Sequence, residues 1–161
     1  KKVDKSLLDE MLSAANLAPS WKNSQTPRFY VATGEKSKNA VREALPEFNR
    51  KNSENASAYI VTTVVLNRSG FDKDGTAVTE IGNGWGYYDL GLNNMALLLK
   101  ATELGISTLV MGIRDGEKLR KEFDIPETEA VVSVIAVGYT DSEIVRPKRK
   151  SVEDFAKFYE D

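Results

Sequence analysis

Three short segments of the chain combine residue types that could bind a ligand. Residues Ala18–Gln25 bring Pro, Ser, Trp, Asn and Gln together between a predicted helix and a predicted strand. Residues Leu109–Asp115 begin in an apolar run and are predicted to turn at Gly112. Turns at strand ends are common binding positions in open sheets. Residues Pro147–Lys150 carry adjacent cations that can hold a phosphate. Taken singly, such segments are more often a connecting loop, a plain turn and a solvated face.

The chain contains no cysteine and no histidine. This excludes disulfides, thiolate nucleophiles, zinc sites built on those ligands and every triad that uses imidazole. A calcium loop at Asp72–Gly75 is a poor match, because the further acidic ligands do not have the required spacing. We expect no metal, and no spacing of carboxylates marks a catalytic pair. Difficult chemistry would therefore belong to a bound cofactor.

The charge balance excludes further functions. With 22 basic and 24 acidic residues, the net charge of −2 gives no electrostatic case for nucleic acid or an anionic membrane. The longest apolar runs, such as residues 131–137, are too short to span a bilayer. Because no signal peptide is visible and cysteine is absent, we expect a cytoplasmic protein.

Hydrophobic periodicity predicts the elements that position the three segments. Helices are predicted at residues 4–17, 36–49, 85–104, 115–123 and 151–159, and strands at residues 28–33, 59–66, 106–111 and 130–138. Asp4, Asp115 and the pair Ser151 and Asp154 are predicted to cap helices. The 85–104 helix is apolar on most sides, which predicts a central buried helix. This order predicts a single domain over residues 1–161, with helices on both sides of a mixed sheet.

The sequence does not decide the roles of two groups of aromatic residues. Trp85, Tyr87 and Tyr88 either pack the start of the long helix or stack on an aromatic oxidant, and packing is the more common outcome. The last predicted helix carries an apolar stripe from Phe155 to Tyr159. That stripe must cover the core of this chain or of a partner.

Together and in this order, the segments resemble the FMN-dependent nitroreductase family. The matching strings are Leu17–Val31, similar to the family's APS-x-x-N-x-QPW-x-F signature; Asp89–Ala101, similar to its long central helix; Leu104–Gly112, similar to the strand beside the flavin; and then Ile125–Glu127, Val137–Tyr139 and Pro147–Arg149. Each motif is weak alone, but several in the same order are fairly specific. The resemblance covers nearly the whole chain.

The resemblance implies an α+β nitroreductase-like fold, with a central mixed sheet flanked by helices. It also implies an interlocked homodimer that holds two FMN molecules at its interface, with ring contacts often made by the opposite subunit. The residues at matching positions are Pro19, Ser20, Trp21 and Asn23 at the ring or ribityl chain, Val110, Met111 and Gly112 against the ring, and Lys148 and Arg149 at the phosphate.

The implied activity is that of an NAD(P)H oxidoreductase that reduces nitroaromatics, quinones or similar small-molecule acceptors. Hydride would pass from NADPH or NADH to flavin N5 and then to the oxidant, in ping-pong order at one open face. The chemistry would be carried by the flavin, so no catalytic side chain is assigned. The backbone N–H of Gly112 would lie near N5 and tune it without a titrating group.

One part of the family pattern is absent from the chain. The family begins with a short helix and an R-R-S-x-R segment whose arginines hold the FMN phosphate, whereas this chain opens at residues 1–4 with Lys-Lys-Val-Asp. Lys148 and Arg149 would then hold the phosphate alone. Losing one or two charge-assisted contacts of roughly 1.5–3 kcal/mol each would weaken FMN binding by about tenfold to several-hundredfold or more.

Two alternatives remain open. The first, which this departure motivates, is a non-catalytic flavin-binding or structural dimer of the same fold. The second is a specialised chemistry of the family, such as reductive dehalogenation or destruction of the flavin.

Overall fold

The computed structural model of the chain describes residues 1–143 and 145–160. Its helices are α1 (Lys5–Asn16), α2 (Glu35–Glu43), α3 (Glu47–Asn52), α4 (Gly84–Glu103), α5 (Gly116–Glu122) and α6 (Val152–Phe155), and a 3-10 turn covers Trp21–Asn23. Its strands are β1 (Pro27–Ala32), β2 (Ala58–Val65), β3 (Ser107–Met111) and β4 (Glu129–Gly138). Apart from two helices discussed below, the predicted elements are confirmed with their ends shifted by no more than one residue.

The four strands form one antiparallel sheet in the order β1-β2-β4-β3. This corrects the expectation of a mixed sheet for the strands that the structure describes. The direction of a strand depends on which end of the sheet the preceding connection reaches. Hydrophobic periodicity contains no information about those connections. Between β3 and β4, α5 is only roughly 10 Å long. The chain therefore turns back at one end of the sheet, and Met111 pairs with Val134.

Helices cover both faces of the sheet, and the predicted α+β class is confirmed. On one face, α1 and α4 bury a cluster with the sheet that includes Met11, Leu97 and Ile135. On the other face, α2 and α5 contribute Val41 and Leu119 to a second cluster. Strand β2 lies between these clusters and is buried along seven of its eight residues, as its run of β-branched side chains predicts.

Two predicted helices are shorter in the structure. The helix predicted at 36–49 is divided into α2 and α3 at Pro46, because proline lacks an N–H and its ring clashes with the preceding turn. The helix predicted at 151–159 ends at Phe155, and Ala156 is extended with φ −122° and ψ 145°. Every residue of α6 is exposed, so no tertiary packing extends this single turn as far as Tyr159.

The predicted helix caps are found in two of three cases. The Asp115 carboxylate accepts a hydrogen bond from the Lys118 N–H at 3.0 Å. The Asp154 carboxylate accepts one from the Ser151 N–H at 3.0 Å, as in a capping box. Asp4 occupies the N-cap position of α1, but its side chain makes no capping hydrogen bond.

Helix α4 is buried on one side and exposed on the other. Leu90 and Leu97 are 1% and 0% exposed, whereas Tyr88, Met95 and Leu99 are 61%, 52% and 59% exposed. The last three residues share one helical face, because their spacing follows the helical repeat. The prediction of a central buried helix is therefore correct for only one side of α4 within the single chain. Among the described residues, no helix combines the length and hydropathy needed to cross a membrane.

Candidate functional site

The loop of residues 18–25, called here the 18–25 loop, has a strained backbone. Lys22, Asn23 and Gln25 have φ angles of 44°, 54° and 49°, which lie in the left-handed region that residues other than glycine rarely adopt. Each such residue costs roughly 1–3 kcal/mol. Three left-handed residues within four positions mark this loop as a candidate site.

A buried carboxylate on α4 holds the middle of this loop. The Trp21 N–H donates to both carboxylate oxygens of Asp89, at 3.2 Å to Oδ1 and 3.1 Å to Oδ2. The Ser69 hydroxyl donates to Oδ2 of the same carboxylate. Asp89 is 2% exposed and Ser69 is 1% exposed. The 18–25 loop, α4 and the irregular segment at residues 67–83 therefore meet at one side chain.

Further contacts fix the ends of the loop. The Gln25 N–H donates to Ser20 Oγ at 3.0 Å. Lys22 Nζ lies 3.5 Å from Asp72 Oδ1 in the 67–83 segment, but both side chains are more than half exposed, so this ion pair is weak. Of the predicted site residues here, Pro19 and Asn23 are exposed, while Ser20 and Trp21 are half-buried.

Aromatic side chains join the loop to the start of α4. The Trp85 ring centroid lies 4.8 Å from that of Trp21 and 5.8 Å from that of Tyr88. The Trp85 Nε1–H donates to Thr79 Oγ1 at 2.8 Å. Trp85 therefore has the packing role of the two that the sequence left open. Tyr87 and Tyr88 are 44% and 61% exposed and keep ring surface available to a ligand.

Gly86 allows α4 to approach the sheet closely. A Cβ atom at this position would lie 2.8 Å from Val64 Cγ2 of β2, a distance that side chains do not tolerate without a shift. Asp89 follows less than one helical turn later. The close approach at Gly86 therefore helps to set the depth at which the carboxylate meets the loop.

A groove of about 530 Å³ opens beside the 18–25 loop. This volume lies within the range of small-molecule sites, roughly 300–1,000 Å³. The polar residues that line it are Asn16, Ser20, Ser24, Gln25, Arg28 and Asn93. Ser24 Oγ is buried and has no hydrogen-bond partner within the described parts of the chain. Because buried hydroxyls are normally paired, this atom is available to a ligand or a water molecule.

The end of β3 presents a second surface. Val110 and Ile113 are 48% and 74% exposed, and Gly112 is also exposed. Met111, in contrast, is 2% exposed and lies in the core cluster with Leu119 of α5. Val110 and Met111 are neighbours in β3 and point to opposite faces of the sheet, so only Met111 reaches this core cluster. The predicted ligand contact of Met111 could therefore be made only through its backbone.

The basic run lies in an extended, exposed stretch that precedes α6. Arg149 Nη1 donates to the Pro147 carbonyl at 3.2 Å. Within residues 1–143 and 145–160, no hydrogen bond or ion pair joins Lys148 or Arg149 to the 18–25 loop or to β3. The loop and β3 both contact α4. The structure thus brings two of the predicted segments to one helix but does not join the basic run to them.

The sequence prediction did not include Asp89 or Ser69. A signal for Asp89 does exist, because it stands beside Leu90 on a helix that is otherwise strongly apolar, and a carboxylate is rarely buried without partners. Ser69 carries no comparable signal. A serine in an irregular, glycine-containing segment is ordinary, and only the fold shows that its hydroxyl reaches α4.

The fold is α+β, and the groove beside the 18–25 loop is its candidate ligand site. The sequence profile of the nitroreductase family matches residues 1–139, and the chain belongs to this family. At the level of the family, its class is that of an oxidoreductase. A comparison with curated proteins gave no match.

Solved structures share the fold. A nitroreductase family protein from Streptococcus pneumoniae TIGR4 is 21% identical, with a TM-score of 0.84 over 99% of this chain and 92% of that one. CLA-ER, an enone reductase of gut-bacterial fatty acid saturation, is 20% identical, with a TM-score of 0.84 over 98% and 89% of the two chains. An oxidoreductase containing FMN is 24% identical, with a TM-score of 0.74 over 88% and 70%. At these identities the likeness shows the fold alone.

Proposed function

We propose that the chain is an FMN-dependent NAD(P)H oxidoreductase that works as a homodimer and reduces nitroaromatics, quinones or similar acceptors. One observation carries the proposal: in a nitroreductase family member, a strained loop is anchored on buried Asp89 beside a polar groove. Backbone strain persists only where the surroundings impose it, and it clusters at ligand-binding and active sites.

The residues around the loop fit a flavin. A ribityl chain needs hydrogen-bonding groups, and the groove offers the hydroxyls of Ser20 and Ser24 and the side-chain amide of Asn93. A flat ring needs an open surface, and a Cβ atom at Gly112 would meet no atom within 4 Å, while Val110 is half exposed. The residues that would hold FMN are Pro19, Ser20, Trp21, Asn23, Val110, Met111, Gly112, Lys148 and Arg149, with Met111 acting through its backbone.

When bound, FMN supplies hydride transfer from NADPH or NADH to an acceptor. The chain itself would bind the cofactor, orient it and leave one side of its ring accessible. The Gly112 N–H would act as a fixed donor to the cofactor that does not titrate. The exposed ring of Tyr88 offers a stacking surface to an aromatic acceptor, since offset aromatic pairs contribute about 0.5–1.5 kcal/mol.

A homodimer would complete the site. In the proposed dimer, the 18–25 loop of one subunit and the end of β3 of the other would form the two surfaces of one site. The side of α4 that exposes Tyr88, Met95 and Leu99 is the natural place for contact. Full burial of one such apolar side chain contributes about 1.5–3 kcal/mol.

The direct test is the colour and turnover of the purified protein. Incubation with FMN and removal of free flavin should leave a yellow protein with flavin absorbance bands, which NADPH or NADH bleaches and a nitroaromatic or quinone restores. Comparing the two nicotinamides and a panel of acceptors would then define the substrates. A protein that stays colourless after incubation with FMN would contradict the proposal.

A non-catalytic flavin-binding or structural dimer is the second candidate. It is favoured by one observation, which is that Lys148 and Arg149 have no contact with the groove through hydrogen bonds or ion pairs in the described chain. The phosphate would then be held weakly. Tight FMN binding without oxidation of NADPH or NADH by any acceptor would favour this candidate over the enzyme.

A further inference from the structure

Asp89 is a buried acidic residue whose partners come from outside its own helix. Its carboxylate accepts hydrogen bonds from the Trp21 N–H and the Ser69 hydroxyl, and it is 2% exposed. Burial of a carboxylate is unfavourable unless such donors compensate for the lost water. An apolar residue at this position would avoid that cost. The carboxylate therefore has a role that packing of α4 does not explain.

We propose that Asp89 is a positioning residue of the flavin site, whose carboxylate keeps the 18–25 loop in the backbone conformation that receives the cofactor. This inference rests on the proposed function. Asp89 acts through the Trp21 N–H, so it is distinct from the residues proposed to contact FMN.

The position of Trp21 in the loop explains why this one hydrogen bond matters. Trp21 begins the 3-10 turn, and the left-handed residues Lys22 and Asn23 follow it directly. An unanchored turn would relax towards ordinary φ angles, because the left-handed conformation is unfavourable for both residues. The shared hydrogen bond to Asp89 opposes that relaxation at the first residue of the turn. Ser69 in turn orients the carboxylate from the 67–83 segment.

The substitution D89N separates positioning from packing. Asparagine has the size of aspartate, but its side-chain NH₂ would replace one of the two oxygens that the Trp21 N–H shares. Only one acceptor oxygen would then remain for the Trp21 N–H and the Ser69 hydroxyl, and the negative charge would be lost. The matched control is E103Q, which makes the same chemical change at an exposed residue of α4. Both variants are compared with the wild-type chain for FMN affinity, for thermal melting and for hydrogen exchange of single amides in the FMN-free protein.

D89N is expected to raise the exchange rate of the Trp21 amide, and the Kd for FMN, by about tenfold to a hundredfold. Amides in the middle of α4 should exchange as in the wild type, and E103Q should match the wild type throughout. A folded D89N with unchanged Trp21 exchange and unchanged FMN affinity would overturn the inference. Faster exchange spread evenly over α4 and the loop would also overturn it, because that result indicates a purely structural role.

The substitution S69A keeps the test decisive if D89N does not fold. It leaves the carboxylate in place and removes one donor, so Trp21 exchange and the Kd for FMN should each rise several-fold, and wild-type values for both would contradict the inference. The two proposals can fail separately. A wild-type chain with a protected Trp21 amide and no FMN binding would contradict the proposed function but not the anchoring of the loop. FMN binding that D89N leaves unchanged would contradict only the role of Asp89.

Discussion

At the scale of single residues, a second buried carboxylate is stabilised by hydrogen bonds from hydroxyl groups, in a chain that has no histidine. Glu129 is 6% exposed and accepts hydrogen bonds from the Tyr30 hydroxyl at 2.9 Å and the Thr63 hydroxyl at 2.5 Å. Loss of water around the phenol, then the hydrogen bond to Glu129 and the negative charge of Glu129, raise the pKa of Tyr30 to about 12. Burial and the neighbouring carboxylate therefore both favour the protonated phenol, and burial is the larger cause.

The raised pKa of Tyr30 predicts that the free energy of unfolding depends on pH. An unfolded tyrosine ionises near pH 10, so between about pH 10 and 12 the unfolded chain releases a proton that the folded chain retains. The contribution of Tyr30 to the free energy of unfolding should be complete below about pH 10 and should decline as the pH rises to about 12. Denaturant midpoints measured across this range should show the decline in the wild type.

The substitution Y30F provides the comparison, because it removes the titrating phenol. Its stability should change less with pH in this window than that of the wild type. The substitution E129Q should lower the pKa of Tyr30 only in part, since loss of water is the larger cause and remains. Equal slopes in Y30F and the wild type would show that another group governs the alkaline transition.

At the scale of elements, the depth of α4 against the sheet is set by a residue that lacks a side chain. Gly86 faces Val64 of β2 at a distance too short for a Cβ atom, and Leu90 and Leu97 continue the buried side of the helix. Asp89 and Trp85 reach the 18–25 loop from the same first turns of α4. The position of this helix therefore couples the core to the candidate site.

The substitution G86A should destabilise the protein although alanine is the better helix former. Overpacking against Val64 costs about 1–3 kcal/mol, which exceeds the roughly 1 kcal/mol gained in helix propensity. The free energy of unfolding should therefore fall, as measured by denaturant titration. Because the displaced helix carries Asp89, FMN affinity should fall as well.

A double-mutant cycle with V64A tests the stated cause. V64A removes the methyl groups that the new Cβ would strike, so the double variant G86A/V64A should be more stable than the sum of the two single effects implies. Strictly additive effects would mean that the contact between residues 64 and 86 is not what limits the approach of α4.

At the scale of the whole molecule, the single chain leaves several large apolar side chains exposed. One side of α4 exposes Tyr88, Met95 and Leu99, and the end of β3 adds Val110 and Ile113. Exposed apolar side chains mark sites of association where they form one patch. The proposed homodimer would cover these side chains and would complete the flavin site in the same step.

The double substitution M95K/L99K should therefore weaken association by about tenfold to a hundredfold or more, since it places charge on the proposed contact face and removes apolar burial. Sedimentation of the protein over a range of concentrations measures the effect. FMN affinity should fall in parallel if the site needs both subunits. The control is F48K, which changes an apolar side chain on α3 that is still more exposed than Met95 and Leu99. A dimer that survives M95K/L99K and dissociates in F48K would place the interface elsewhere.

Much of the fold could be read from the residues, because local physics determines it. The β-branched run at residues 58–65, the stop after the long helix at Gly105 and the cap at Asp115 each depend on neighbours in sequence. Periodicity and capping therefore located nearly every element, and the absence of histidine and cysteine indicated a cofactor. The division of the 36–49 helix at Pro46 is also a local effect, which the apolar pattern alone did not reveal.

Only the tertiary structure decided how those elements are arranged. The sequence marked Ala18–Gln25 as a candidate site, but the left-handed backbone of that loop and its anchor on Asp89 arise from contacts across 68 residues of chain. The antiparallel direction of the sheet and the burial of Met111 likewise depend on where distant segments pack. Local residue patterns constrain torsion angles and burial periodicity, but non-local contacts select which surfaces meet, and the site is made of such contacts.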